Sequence, residues 1–294
     1  MLHFACSTGD LDIFDFVHER CVDLRSVFEG VEENSTLETP LHFAVSRNNI
    51  EIAKVLIEDI REIHDQSMDN SGEHSKGPSS LGLIDREDAG ALDKTSRYKG
   101  TLDKENACGH TPFFVAVTKG HLEMAELLLI DEMSDVDHTD EMDDTPLHWA
   151  ILLNNPRIVT FLLDNGADRL AKSKYYANNP VMIACLNSKV DMLKILLTPA
   201  RKASQERAQG LQVLDHQMLL YDRSAPSRSS ALDEERVQIR RAINAPNRTQ
   251  MTALHAACLS GNVQMVDLLL RNGAEAAMRA KDVSSHGPSK FQAN

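Results

Sequence analysis

Four heptapeptides in this chain are variants of one another: Glu38-Thr39-Pro40-Leu41-His42-Phe43-Ala44, His110-Thr111-Pro112-Phe113-Phe114-Val115-Ala116, Asp144-Thr145-Pro146-Leu147-His148-Trp149-Ala150 and Met251-Thr252-Ala253-Leu254-His255-Ala256-Ala257. The interval from Thr111 to Thr145 is the length of one helix-turn-helix unit. A unit recurring at that period cannot bury its apolar face alone, so neighbouring units must stack into a solenoid.

Two weaker copies share the register. The same interval beyond Thr145 reaches Asn179-Pro180-Val181-Met182-Ile183-Ala184, and Leu2-His3-Phe4-Ala5-Cys6 fits the frame without its first residues. The six units resemble the ankyrin-repeat family, whose pattern is T-P-L-H-x-A at about 33 residues. The resemblance implies an all-α ankyrin-repeat solenoid of helix-turn-helix units with short β-hairpin loops. It also implies a role in binding other proteins.

Each repeated position has a physical reason. Thr39, Thr111, Thr145 and Thr252 are suited to cap a helix N-terminus, and the proline that follows three of them fits the first helical position, where no amide hydrogen is needed. Asn179 keeps the cap in the degenerate unit. Ala5, Ala44, Ala116, Ala150, Ala184 and Ala257 occupy one position in all six units, which marks a close contact between helices. The first helices are expected to stop at Gly9, Asn48, Gly120, Asn154, Ser188 and Gly261; all but Ser188 are residue types that tolerate a left-handed backbone. Second helices follow, with apolar residues at helical spacing from Ile50, Leu122, Ile158, Val190 and Val263. His18 replaces the usual Leu or Ile in the first unit, as suits an end repeat with one wet face.

The period breaks twice. Thr39 to Thr111 and Asn179 to Thr252 each span a little more than two intervals, so each gap holds one repeat and a long excess. The expected organisation is repeats 1 and 2 over 1–59, an insertion over 60–105, repeats 3 to 5 over 106–198, a second insertion over 199–246, repeat 6 over 247–279 and a tail over 280–294. The first insertion carries Asp69-Asn70-Ser71-Gly72-Glu73-His74-Ser75-Lys76-Gly77-Pro78, a linker composition read as disordered. The second is read as partly helical, over Gln212 to Leu220 and Ser230 to Ile243, the latter with Ser230 and Asp233 at capping-box spacing. Both enter at the same kind of junction, which puts them on one face.

A formal net charge of −13 argues against nucleic acid as a partner and for a soluble monomer or a basic partner. No stretch reaches the roughly 18 apolar residues needed to span a bilayer, and no signal peptide precedes the first unit, so neither membrane insertion nor secretion is expected. Of the five cysteines, Cys6, Cys185 and Cys258 stand where other units carry Val45, Val117 and Ile151, a core-packing position. Cys21 and Cys108 are then the expected exposed thiols. Cysteines without C-x-x-C spacing point to a reducing compartment, taken as the cytoplasm with the nucleus as the alternative.

No chemistry assembles in the sequence. His3, His42, His148 and His255 share one repeat position, where the family resemblance implies a bond to backbone between units. No nucleophile stands at a recognisable spacing from His110, His121 or His138, and no Walker loop, G-x-S-x-G or H-E-x-x-H occurs. The acidic run Asp131 to Asp144 lacks the glycine and terminal glutamate of a calcium loop in register, and reads as a solvated turn able to steer a basic partner. The chain is therefore expected to be no enzyme, with no metal and no cofactor.

By the family resemblance, binding is expected on the concave face, through hairpin tips and first helices. The candidate residues are Tyr175 and Tyr176, adjacent tyrosines at one tip, with Glu141 and Met142, Cys108 and Arg248 at others. Paired tyrosines offer large contact area at small entropic cost. On the first helices Trp149, Leu152 and Leu153 complete the set, centred on the fourth and fifth units. The expected partner is a protein or peptide, favourably one with a basic segment. Two other readings are a regulatory or targeting segment of a larger enzyme or channel, and a microbial effector that occupies a host protein. Arg201-Lys202-Ala203-Ser204 and Arg228-Ser229-Ser230 resemble basic-directed phosphorylation sites.

Overall fold

A computed structural model describes residues 2–21, 36–69, 102–129, 134–200 and 230–276. Their regular elements are helices, with no strand among them, so the expected hairpins are turns rather than ribbons. They divide into two compact units, 1–141 and 142–294.

In the first unit α1 (Leu2–Thr8) and α2 (Leu11–His18), α3 (Pro40–Ser46) and α4 (Ile50–Asp69), and α5 (Pro112–Lys119) and α6 (Leu122–Leu129) form three pairs. The first members pack in the order α1, α3, α5 and the second in the order α2, α4, α6. The second unit repeats this scheme with α7 (Pro146–Leu152) and α8 (Pro156–Asp164), α9 (Pro180–Leu186) and α10 (Val190–Leu196), and α12 (Ala253–Leu259) and α13 (Val263–Arg271). One extra helix, α11 (Ser230–Asn244), packs against α9 and α12.

Local chemistry sets the helix ends. Thr39, Thr111 and Asn179 each accept a bond from the amide three residues on, and proline follows each cap. The first helices end at residues with left-handed backbone, φ 76° at Gly9, 59° at Asn48, 81° at Gly120, 58° at Asn154, 54° at Ser188 and 67° at Gly261. The six repeated alanines are all buried, as close helix contact requires.

Two of the repeated histidines, His42 and His148, join one repeat to the next. The Thr39 N–H donates to Nδ1 of His42 (3.1 Å), so the ring proton sits on Nε2, which donates to the His110 carbonyl (3.0 Å). His148 does the same between Thr145 (3.0 Å) and the Asn178 carbonyl (3.3 Å). Burial pushes the His42 imidazole down to about 4, so this ring is neutral. In the third repeat Phe114 fills the position, fully buried and stacked on His110 with ring centroids 4.3 Å apart. His138 supplies a return link there, its Nε2 lying 3.2 Å from the Gly109 carbonyl. At the first repeat His18 pairs with Asp59 (2.7 Å) and stacks on Phe14.

Four expectations are corrected. α4 runs 20 residues to Asp69, into the segment read as disordered; Ile60 is still buried in it, and Arg61 pairs with Glu58 one turn back. Leu102, also assigned to the insertion, is buried. Cys258 is exposed, because no described helix covers that side of α12; Cys6 and Cys185 are buried, and desolvation pushes each thiol up to about 12. The acidic run is only partly solvated, since Asp140 and Ser134 are buried, with Asp140 3.8 Å from His110. The stretch Gln212 to Leu220 lies outside the described residues.

α11 is anchored in the second unit. Ile239, Ala242 and Ile243 are buried, and Asn179 Nδ2 donates to the Ala242 carbonyl (2.7 Å). Its start is Ser230 itself, rather than a residue after a Ser230 cap. A buried ion pair joins Glu235 of α11 to Arg169 in the turn after α8, at 3.1 Å. The Glu235 carboxylate also accepts the Ala200 amide (2.6 Å), and Arg169 donates to the Thr198 carbonyl (3.2 Å). Burial drives the Arg169 guanidinium down from its usual range, and Glu235 draws it back.

Candidate functional site

The turns of the second unit are tied in a row by backbone. The Lys174 amide donates to the Met142 carbonyl (2.8 Å) and the Arg248 amide to the Tyr176 carbonyl (2.9 Å). This places Met142, the Tyr175–Tyr176 pair and Arg248 on three successive tips, all exposed. Tyr175 is 64% exposed and Tyr176 43%, so neither ring is buried against a neighbouring turn. Cys108 and Glu141 are exposed on tips of the first unit, where the Ala107 amide donates to the Thr36 carbonyl (2.8 Å).

On the first helices Trp149 is half-buried, while Leu152 and Leu153 are exposed. Two further leucines were missed by sequence reasoning. Leu152, Leu186 and Leu259 stand at one position relative to their helix caps, on three first helices packed side by side, and are 40%, 43% and 72% exposed. They form an apolar row. At the same position the first unit carries Ser7, Ser46 and Thr118, and Ser7 and Thr118 turn their hydroxyls back to the carbonyls three residues earlier. The next position is Thr8, Arg47 and Lys119 in the first unit, against Leu153, Asn187 and Ser260 in the second. The signal lies in the aligned frames, where Leu152, Leu186 and Leu259 fall in register seven residues after their caps.

Among the described residues no three His, Cys, Asp or Glu side chains are grouped to hold a metal. No helix among them is long and apolar enough to cross a membrane.

Stacked helix pairs capped by T-P-L-H sequences, tied tip to tip and presenting side chains from turns and first helices, define a protein-interaction repeat. The chain belongs to the ankyrin-repeat family. The family pattern for three-copy ankyrin repeats matches residues 88–173 and 113–208, and the single ankyrin repeat matches 36–66 and 249–282. Among curated proteins the chain is similar to an NAD-dependent deacetylase, sir2B, of Dictyostelium discoideum, 23% identical over 68% of this chain and 22% of the relative. It is also similar to the human transient receptor potential cation channel subfamily A member 1, 26% identical over 57% of this chain and 15% of the channel. Mouse neurogenic locus notch homolog protein 1 is 29% identical over 56% of this chain and 7% of that protein. The chain thus spans less than a quarter of the length of these relatives.

Proposed function

We propose that this chain is a non-catalytic interaction module that holds a protein or peptide partner on the concave face of residues 142–294. The observation that carries this reading is the exposed row Leu152, Leu186 and Leu259, replaced by Ser7, Ser46 and Thr118 in the other unit. Exposed apolar residues arranged contiguously mark interaction surfaces, whereas scattered ones need no explanation. Trp149 lies between the row and the tips that carry Met142, Tyr175, Tyr176 and Arg248, and Leu153 adjoins the row at the helix end; Cys108 and Glu141 are separate candidate contacts on tips of the first unit. The partner presents an apolar strip, and a basic flank would meet the exposed Glu141 and Asp143.

The chain acts in this reading as a monomeric scaffold or adaptor in the cytoplasm, which its five free cysteines support. The division into six repeats and two insertions is part of the same proposal. One alternative has its own support: a regulatory or targeting segment of a larger protein, since the matched relatives are several times longer than the matched region.

The test is affinity capture from cytosol with the intact chain, the pair Leu186→Asp/Leu259→Asp, the pair Tyr175→Ala/Tyr176→Ala, and Ser46→Asp as control. Circular dichroism first establishes that each variant is folded. A protein retained by wild type and Ser46→Asp but lost from the leucine pair supports the reading. Equal retention by the leucine pair and wild type would move the site off this face.

A further inference from the structure

Away from the leucine row, and independent of it, α11 forms one wall of a cleft of about 360 Å³ against the end of α10 and the end of α13. Leu197, Pro199 and Ile239 give it an apolar floor, and Arg236, Arg240 and Arg271 line it. Arg236 and Arg240 are one helical turn apart on the same face of α11, and Arg271 comes from the facing helix. Asn272 completes the lining, so no carboxylate contributes to it. Three arginines line this cleft in a chain whose net charge is −13.

Only Arg271 is engaged, with its own-helix neighbour Asp267 at 2.9 Å; Arg236 and Arg240 form no ion pair among the described residues. The walls are fixed. Asn244 at the end of α11 donates to the Gly273 carbonyl (3.0 Å) and accepts the Glu275 amide (2.9 Å). Gly273 has φ +91°, and a Cβ there would lie 2.9 Å from Arg240 Nε, so the missing side chain lets that guanidinium rest on the turn. Arg169–Glu235 holds the other end of α11.

We propose that this cleft binds a phosphate group carried on a peptide, as a phosphorylated side chain with an apolar neighbour. Unpaired guanidinium forks match the oxygen geometry of phosphate and are its preferred recognition group. The apolar floor contacts the residue beside it, which a bare ion could not use.

The experiment measures fluorescence anisotropy of a labelled peptide containing phosphoserine next to leucine, with its unphosphorylated twin and inorganic phosphate as a competitor. The intact chain is compared with Arg236→Gln, Arg236→Gln/Arg240→Gln, and Arg241→Gln, an exposed arginine of α11 that does not line the cleft. Melting curves establish that all are folded, and Arg236→Gln alone serves if the double variant is not. The expected result is wild-type preference for the phosphopeptide of about tenfold or more over its twin. That preference falls to near unity in the Arg236 variants and survives in Arg241→Gln. Equal binding of both peptides, binding of neither, or unchanged preference in the Arg236 variants overturns the site. Inorganic phosphate binding as tightly as the phosphopeptide overturns the peptide assignment.

Discussion

Leu37, Gly109, Asp143, Ala177 and Gln250 each stand two residues before a helix cap, and each has φ between 52° and 74°. Only Gly109 suits that backbone without cost, and a Cβ there would meet the Glu141 amide nitrogen at 3.1 Å. An L-residue pays about 1–2 kcal/mol for the left-handed region, partly offset by the entropy glycine loses on folding. Gln250→Gly, at an exposed turn, is therefore expected to raise unfolding free energy by about 0.5–1 kcal/mol in urea titrations. His42 gives a pH-dependence at the same scale. Its folded-state pKa of about 4 lies below its unfolded value, so the unfolded chain binds the extra proton between pH 6.5 and about 4. This contribution is present in full above pH 6.5 and is lost as pH falls through that window, by up to about 1.4 kcal/mol per pH unit. Comparing urea midpoints of wild type and His42→Gln at pH 7 and pH 5 isolates it: the variant should show a smaller loss on acidification. The caps were legible in the sequence because they are made within three residues; the histidine links reach carbonyls 68 and 30 residues away, and only the family resemblance implied them. The exposure of Cys258 was not legible, since it depends on which helices lie beside α12.

Among the elements, α11 separates composition from context. Its residues carry a low apolar content, yet Ile239, Ala242 and Ile243 share a buried face, and Glu235 reaches the buried Arg169. Removing one partner of a buried pair leaves the other charge uncompensated, at a cost of about 3–5 kcal/mol. Glu235→Ala is expected to lower the thermal midpoint and to raise hydrogen exchange across residues 233–244 ahead of α7 and α8. Adding Arg169→Met should recover much of that loss, because the stranded charge is then gone. A helix over Ser230 to Ile243 could be read from periodicity; its docking could not, because Arg169 and Glu235 are separated in the chain by a whole repeat and most of an insertion. The extension of α4 to Asp69 was hidden for a different reason: the repeat period predicts where a second helix usually stops, and this one runs past that point.

In the molecule as a whole, each compact unit contains three helix pairs, the number at which stacked repeats become self-sufficient. The second also holds α11 and the Arg169–Glu235 pair. A fragment of residues 142–294 is therefore expected to fold alone, with a helical circular dichroism spectrum and a single cooperative urea transition. A featureless spectrum or a non-cooperative transition would show that three pairs and α11 are insufficient. The leucine row belongs to this scale too. Leu152, Leu186 and Leu259 come from different repeats, the last beyond the second insertion, and become one surface only when α7, α9 and α12 stand side by side.

The repeat, its caps, its left-handed helix ends and its buried alanines can all be read from the order of residues, because each is set by a helical hairpin that recurs in register. Tertiary structure alone decided which leucines face outward together, which thiol is left uncovered, and that α11 is part of the second unit. Those depend on burial by neighbours remote in the chain, and a local pattern carries no information about which neighbour arrives.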